Sequence, residues 1–403
     1  MASGFILANQ RGIAVSMDTM ETTPQGEEYH GINRIFPLGN QHKVIIVSSG
    51  MDNFMAFPIE ILIQRFSHEL GPKPLANLTD YTVAFCNFLN SPAANLNSEW
   101  YIQDTVLFTL NNIYSMYQQL LNRYSNQMPF EKIFDQAVSQ VEGQYQVQKQ
   151  NISISKLTKK EVIDEFSETV GNMINSWLES LSNYGVNTAV GSFAANLQQP
   201  SQLSPQPRSI FSNEYQRIFD IIYNILTHQM RPDYASLIFA GMGADECFGQ
   251  LQYMDVFGFL DEALYHVDES LVIDQMHPQI INNVSTYTTQ SAGAELLQSG
   301  MARIARYQIQ RILDSNNLNN EDKRRVMDAI NGAMYSHNQG IQEVVNKLST
   351  DELAKMSRTM VEANSFVSRF LIRSAGVGGE IETITVTYQN GPVWVHRQQK
   401  GLS

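Results

Sequence analysis

Gly4-Phe5-Ile6-Leu7-Ala8-Asn9-Gln10-Arg11-Gly12-Ile13-Ala14-Val15-Ser16-Met17-Asp18-Thr19 is the stretch on which the reading of the whole chain turns. Two short apolar runs, Gly4 to Ala8 and Gly12 to Met17, flank the turn-like Asn9-Gln10-Arg11-Gly12. Strand-length apolar runs around such a group predict a β-hairpin. The arrangement repeats at once, with Arg34-Ile35-Phe36-Pro37-Leu38 and Lys43-Val44-Ile45-Ile46-Val47-Ser48-Ser49 on either side of Gly39-Asn40. Four strands thus precede any helix. From Phe54 to Leu70 the apolar positions Phe54, Phe57, Ile61, Leu62, Phe66 and Leu70 change to helical spacing, with Asp52 or Asn53 placed to cap the helix start.

Outward from this block, Leu78 to about Leu226 is helical in pattern. Asp104 to Tyr124, Phe130 to Gln148, Lys159 to Tyr184 and Asn213 to His228 each space their apolar residues by three and four. Their aromatic stripes, such as Phe108, Tyr114 and Tyr117, are expected to be core. The Pro/Gln/Ser run from Gln198 to Pro207 reads as a loop. Strands then return at Ala235 to Gly241, Gln250 to Val256 and Ala263 to Val267. Helices are expected near Gly293 to Leu313, Asn320 to Leu348 and Asp351 to Phe370, the last with Thr350 as its N-cap. Glu380 to Tyr388 and Pro392 to Arg397, around Gln389-Asn390-Gly391, form a closing hairpin. This order suits two antiparallel sheets stacked face to face with helices outside both, because N- and C-terminal strands can share one sheet.

Composition narrows the function classes. Forty acidic against 27 basic residues give a formal charge of -13 over 403 residues, with no basic stripe, so a nucleic-acid partner is not expected. The two cysteines, Cys86 and Cys247, lack Cys or His neighbours at ligand spacing. They are expected to be buried small hydrophobes in a reducing compartment. No segment approaches the roughly 20 apolar residues of a membrane span, and the first residues lack the basic start of a signal peptide. A cytoplasmic protein without membrane contact is expected. Gly241-Met242-Gly243-Ala244-Asp245-Glu246 lacks the Lys-Ser/Thr of a phosphate loop and reads as a strand-connecting turn. The histidines show no metal-ligand spacing, and no cofactor is expected.

This order of elements, together with two local motifs, resembles the proteasome-like branch of the N-terminal-nucleophile (Ntn) hydrolases. Leu7 to Thr19 looks like that family's first strand pair, ending in its site aspartate. Gly31-Ile32-Asn33-Arg34-Ile35-Phe36 is similar to its lysine-containing strand, and Ser49-Gly50 to the glycine before its first helix. Val377-Gly378-Gly379-Glu380-Ile381-Glu382-Thr383 is close to its Val-Gly-Gly-Pro-Ile-Asp start of a late strand. The resemblance covers residues 1–71, 233–268 and 345–397. With the long helical segment it is nearest to a set of bacterial proteasome-like proteins larger than ordinary ring subunits. It implies an α+β fold, a four-layer αββα sandwich of two antiparallel sheets built from residues 1–75 and 230–403, with residues 76–229 as a helical insertion. It also implies a homo-oligomer, and a protein or peptide partner is a separate expectation.

In that family the first residue of the mature chain, usually threonine, attacks an amide carbonyl while its own α-amine takes the proton, an amine whose ordinary pKa of about 7.7–8.0 suits the task. The resemblance places Ala2 at the nucleophile position, with Asp18 and Arg34 following it by 16 and 32 residues, as the family aspartate and lysine do. Ala2 has no hydroxyl and cannot form an acyl-enzyme. Arg34 supplies charge but stays protonated, so it cannot shuttle a proton as lysine might. Asp18 is then best read as the counter-ion of a buried guanidinium. Gly50 corresponds to the oxyanion-donor glycine, although a glycine ending a strand is also ordinary turn chemistry. Ser3, the nearest hydroxyl, is one residue out of register and points to the opposite strand face. For the family's supporting hydroxyl and carboxylate, Ser291 and Ser374 are nearest by rough register, and each reads better as a plain cap or loop serine.

Three functions follow as expectations: a catalytically silent homologue acting through assembly or binding, a threonine-type peptidase or amidase in which alanine stands for the native nucleophile, and a partner-binding protein using the helical insertion.

Overall fold

The computed structural model describes residues 3–22, 28–50, 53–55, 57–124, 129–148, 167–178, 212–228, 235–260, 263–272, 279–282, 303–315, 319–372 and 378–397. The chain falls into two compact units, one of Met1–Ala94, Tyr234–Val256 and His266–Ser403, the other of Asn95–Asp233 and Phe257–Tyr265. The first is mixed α+β.

Its opening residues form β1 (Gly4–Asn9) and β2 (Gly12–Asp18), an antiparallel pair in which Ile6 faces Val15 and Asn9 faces Gly12. Asn9 closes the turn, its Oδ1 accepting the Arg11 N–H at 2.8 Å. Two short strands, β3 (Met20–Thr22) and β4 (Glu28–His30), pair next, followed by β5 (Ile35–Pro37) and β6 (Lys43–Gly50). A ribbon of β7 (Asn53–Phe54) and β8 (Phe57–Pro58) then leads into α1 (Ile59–Leu70). The helix therefore starts five residues later than its apolar spacing predicts, and neither Asp52 nor Asn53 caps it. Pro58 explains the shift: it stands at the N-cap with φ -58°, and the residue before a proline is kept out of helical geometry.

α2 (Leu78–Leu89) is held at its start by a capping box between Asn77 and Asp80. Sequence spacing groups it with the long helical segment, but it belongs to the sheet unit, where Phe85 packs on Phe66 and on Phe239 with ring centroids 5.0 and 5.7 Å apart. Phe239 lies in β9 (Ala235–Met242), which is followed by β10 (Gln250–Leu260), β11 (Ala263–Val272) and β12 (Gln279–Asn282).

The described helices α7 (Arg303–Ser315), α8 (Asn320–Lys347) and α9 (Thr350–Phe366) follow, and a π-helical turn, Val367–Ile372, extends α9. The cap of α9 is Ser349 and not Thr350, because Ser349 and Glu352 bond each other's backbone N–H groups reciprocally. The hairpin of β13 (Ile381–Thr387) and β14 (Gly391–His396) closes the chain.

Two five-stranded sheets result, ordered β12-β1-β2-β13-β14 and β11-β10-β9-β6-β5, and every pairing described within them is antiparallel. The first and last described strands share a sheet, as the order of the elements suggests. Strand alternation sends Ile6, Ala8, Ile13, Val15, Ile384 and Val386 of one sheet and Ile35, Ile45, Val47, Ile238 and Ala240 of the other into one common core. The opposite face of the β1 and β2 strands, with Phe5, Leu7 and Ala14, packs on Leu353, Ala354, Met360 and Val361 of α9.

The second unit is built mainly from helices: α3 (Ser98–Tyr124), α4 (Phe130–Gln148), α5 over residues 167–178 and α6 (Ser212–His228). Tyr117, Phe134 and Trp177 stack in series in its core, with centroids 6.0 and 5.9 Å apart. The loop expected from Gln198 to Pro207, and the outer parts of the helices expected at Lys159 to Tyr184 and Gly293 to Leu313, lie outside the described residues. Cys247 is exposed and Cys86 only half-buried, so the expectation of two buried cysteines is corrected: Cys247 sits in the turn after β9, where nothing covers it.

Candidate functional site

Asp18 ends β2 and is wholly buried. Its Oδ1 accepts the backbone N–H of Ser3 at 2.8 Å, and its Oδ2 accepts that of Gly378 at 2.9 Å. The Ser3 carbonyl in turn accepts the Asp18 N–H at 2.9 Å. One carboxylate thereby ties the start of β1 to the approach to β13, which are 375 positions apart in sequence. The glycine pair makes this possible. Gly378 and Gly379 have φ of 152° and 80°, and a side chain on Gly379 would press against Thr19 Oγ1 at 3.2 Å.

Burial pushes the Asp18 carboxyl up to about 7, while the N–H groups of Gly378 and Ser3 and the charge of Arg34 pull it down. Arg34, immediately before β5, is itself buried, and its carbonyl accepts the Ser48 N–H at 2.8 Å. Arg34 acts on the carboxylate through its charge, whereas the hydrogen bonds described at the two carboxylate oxygens come from backbone N–H groups. A carboxyl near 7 exchanges its proton at neutral pH, but both of its oxygens are committed to backbone donors, so the arrangement is that of a tie. It does not present a base to solvent.

Ser3 is buried, and its Oγ accepts a hydrogen bond from Asn364 Nδ2 of α9 at 2.6 Å. It lies on the same strand face as Phe5 and Leu7, turned toward α9 and away from the core between the sheets. No general base bonds its hydroxyl among the described residues, so it is not set up as a nucleophile. The same helix-facing layer holds Ser16 Oγ and Thr383 Oγ1, 3.0 Å apart, and Ser357 Oγ, which donates to the Phe5 carbonyl at 2.8 Å.

Gly50 is the last residue of β6 and sits opposite Ala235 at the start of β9. Ala2, Ser291 and Ser374 lie outside the described residues. The structure thus brings Asp18, Ser3, Gly378 and Asn364 together. Asn364 is missing from the sequence reading, although a signal exists: it continues the buried stripe Leu353, Ser357, Met360, Val361 as a polar residue where an apolar one is the rule. Gly241 and Met242 still belong to β9, and the turn expected here begins at Gly243; Glu246 Oε2 accepts the N–H groups of Gly243 and of Leu78, the first residue of α2.

Among the described residues no group of three or more His, Cys, Asp or Glu could hold a metal ion, and no helix is long and apolar enough to cross a membrane. No family model matches the chain, and no curated protein matches it in sequence.

Proposed function

We propose that this chain is a proteasome-like Ntn-fold protein, a four-layer αββα sandwich with a helical insertion, that has lost the amide-hydrolysing reaction and acts through homo-oligomeric assembly or the binding of a protein or peptide. The observation that carries the reading is the Asp18 tie. In an Ntn hydrolase the aspartate after the first hairpin sits beside the nucleophile and a lysine; here Asp18 holds the N–H of the residue next to the expected nucleophile, with the Arg34 charge close enough to act on it. This arrangement supports the reading that the scaffold of such a site is kept. That the reactive group is lost is supported by Ala2, which offers no hydroxyl, and by Ser3, which turns its own toward Asn364.

Arg34 in place of lysine points the same way. A guanidinium supports a buried carboxylate through charge but does not cycle its proton near neutral pH. Restoring one hydroxyl is therefore expected to be insufficient. The Ala2→Thr protein, with removal of Met1 verified by intact mass, should release no product from peptide-amide substrates above the rate of the unaltered chain. Amide cleavage by that variant would overturn the proposal in favour of a threonine-type amidase. Mass photometry checks the assembly arm, where a monomer at micromolar concentration counts against it.

A further inference from the structure

A cleft of about 230 Å³ in the sheet unit includes neither Asp18 nor Arg34. Its walls are β5, one face of α1 and the end of the β13–β14 hairpin. α1 contributes Glu60, Ile63 and Gln64, which helical spacing sets on one side. Asn33 Nδ2 donates to Glu60 Oε1 at 2.6 Å, and Gln64 Nε2 donates to the same oxygen at 3.1 Å. The carboxylate is thereby oriented from two sides, while its Oε2 accepts no hydrogen bond from a described residue.

On the opposite wall Trp394 presents its indole, over which the Arg397 guanidinium lies 4.8 Å from the ring centroid. Among the described residues Arg397 has no carboxylate at ion-pair distance; the indole face is what holds it. Glu382, only 4% exposed, supplies a second acidic group deep in the wall. The chain thus places a planar cation of its own on the aromatic face of a cleft that also carries an oriented, half-accessible carboxylate.

We propose that this cleft binds a guanidinium or ammonium head on an aliphatic stem, and that Arg397 is an internal stand-in which the ligand displaces from Trp394. Each part of such a ligand finds its match. The indole face attracts the cation, Glu60 offers a charge-assisted hydrogen bond, and the half-buried Pro37 of the lining offers apolar surface to the methylenes of the stem. An anion would be repelled by Glu60. A neutral ring in the same place would desolvate the half-exposed Glu60 carboxylate without compensation. The inference does not depend on the Ntn reading, because no residue of the cleft belongs to the Asp18 tie.

Isothermal titration of the intact chain with N-acetyl-arginine methylamide, agmatine and N-acetyl-citrulline methylamide tests it. Both cations should bind saturably and the neutral isostere at least about tenfold more weakly, the loss of one charge-assisted hydrogen bond. The better of the two cations tells whether the head comes on a peptide or as a free amine. Arg397→Ala should tighten binding by about three- to tenfold by removing the internal competitor, and Glu60→Gln should weaken it by about tenfold. Equal binding of the citrulline compound, an unchanged affinity in Glu60→Gln, or no saturable binding up to millimolar ligand would overturn the proposal and leave Arg397 as a surface stacking contact.

Discussion

Asp18 in the sheet unit and Arg217 in the helical unit are both charged groups with several short hydrogen bonds, yet their surroundings give them opposite meanings. Asp18 is wholly buried and has two backbone donors at 2.8 and 2.9 Å. Arg217 on α6 keeps 29% of its side chain exposed and reaches Asp135 Oδ1 at 2.6 Å, Glu142 Oε2 at 2.7 Å and Ser139 Oγ at 2.8 Å, all on α4. For Arg217 partial burial disfavours the charged form, but the bonds to Glu142 and Asp135 outweigh it and raise its affinity for the proton. For Asp18 the balance falls the other way, and burial wins over its donors. Bond length does not rank such sites; the water removed around them does.

The sharpest way to break this contrast is the pH dependence of Asp18→Asn. A carboxyl raised from 3.8 to about 7 lets the folded state hold a proton that the unfolded chain has released, so its contribution to stability is full below about pH 4 and lost as pH rises through about 7. Asparagine accepts one of the two N–H groups but turns an NH2 toward the other, so the variant should be the less stable protein at pH 4. Its deficit should then shrink by up to about 4 kcal/mol between pH 4 and pH 8. Urea unfolding across that range reads this directly, and a deficit that does not change with pH would show that Asp18 stays ionised in spite of its burial.

A smaller effect is expected from Gly379→Ala, which leaves every charge in place. At φ 80°, with Thr19 Oγ1 3.2 Å from the new Cβ, alanine should cost about 1–3 kcal/mol and disturb the Gly378 N–H that Asp18 accepts. Thermal unfolding measures the loss, and a neutral outcome would mean that the tie tolerates a shifted donor. The smallest effect should come from Arg217→Met, below about 1 kcal/mol and reduced further in 1 M salt, as for exposed ion pairs in general. A larger, salt-independent loss would place Arg217 with the buried groups after all.

Much of the framework is legible in the sequence because it rests on local rules. The hairpin of β1 and β2, the β13–β14 hairpin around Asn390-Gly391 and the span of α4 follow from turn residues and apolar period alone. The errors are local too. One proline moves the start of α1, and one serine displaces Thr350 as the cap of α9. β12 escapes notice because four residues, Gln279–Asn282, are too short to display alternation; its place beside β1 is settled by pairing with a strand more than 270 positions earlier.

The candidate site divides along the same line. That position 2 carries no hydroxyl, that position 34 carries a guanidinium and that glycines stand at 378 and 379 are covalent facts, readable without any fold. Which groups Asp18 serves is not readable in this way. Its donors arrive from the start of β1 and from the approach to β13, Asn364 reaches Ser3 only because α9 lies across the β1 and β2 strands, and burial raises the Asp18 carboxyl to about 7 although its two N–H donors pull it down. The sequence by itself determined which groups stand at positions 2, 18 and 34. Only the tertiary structure decided which neighbours Asp18 holds and how far its proton affinity rises, because desolvation is a property of the packed neighbourhood and not of the residue.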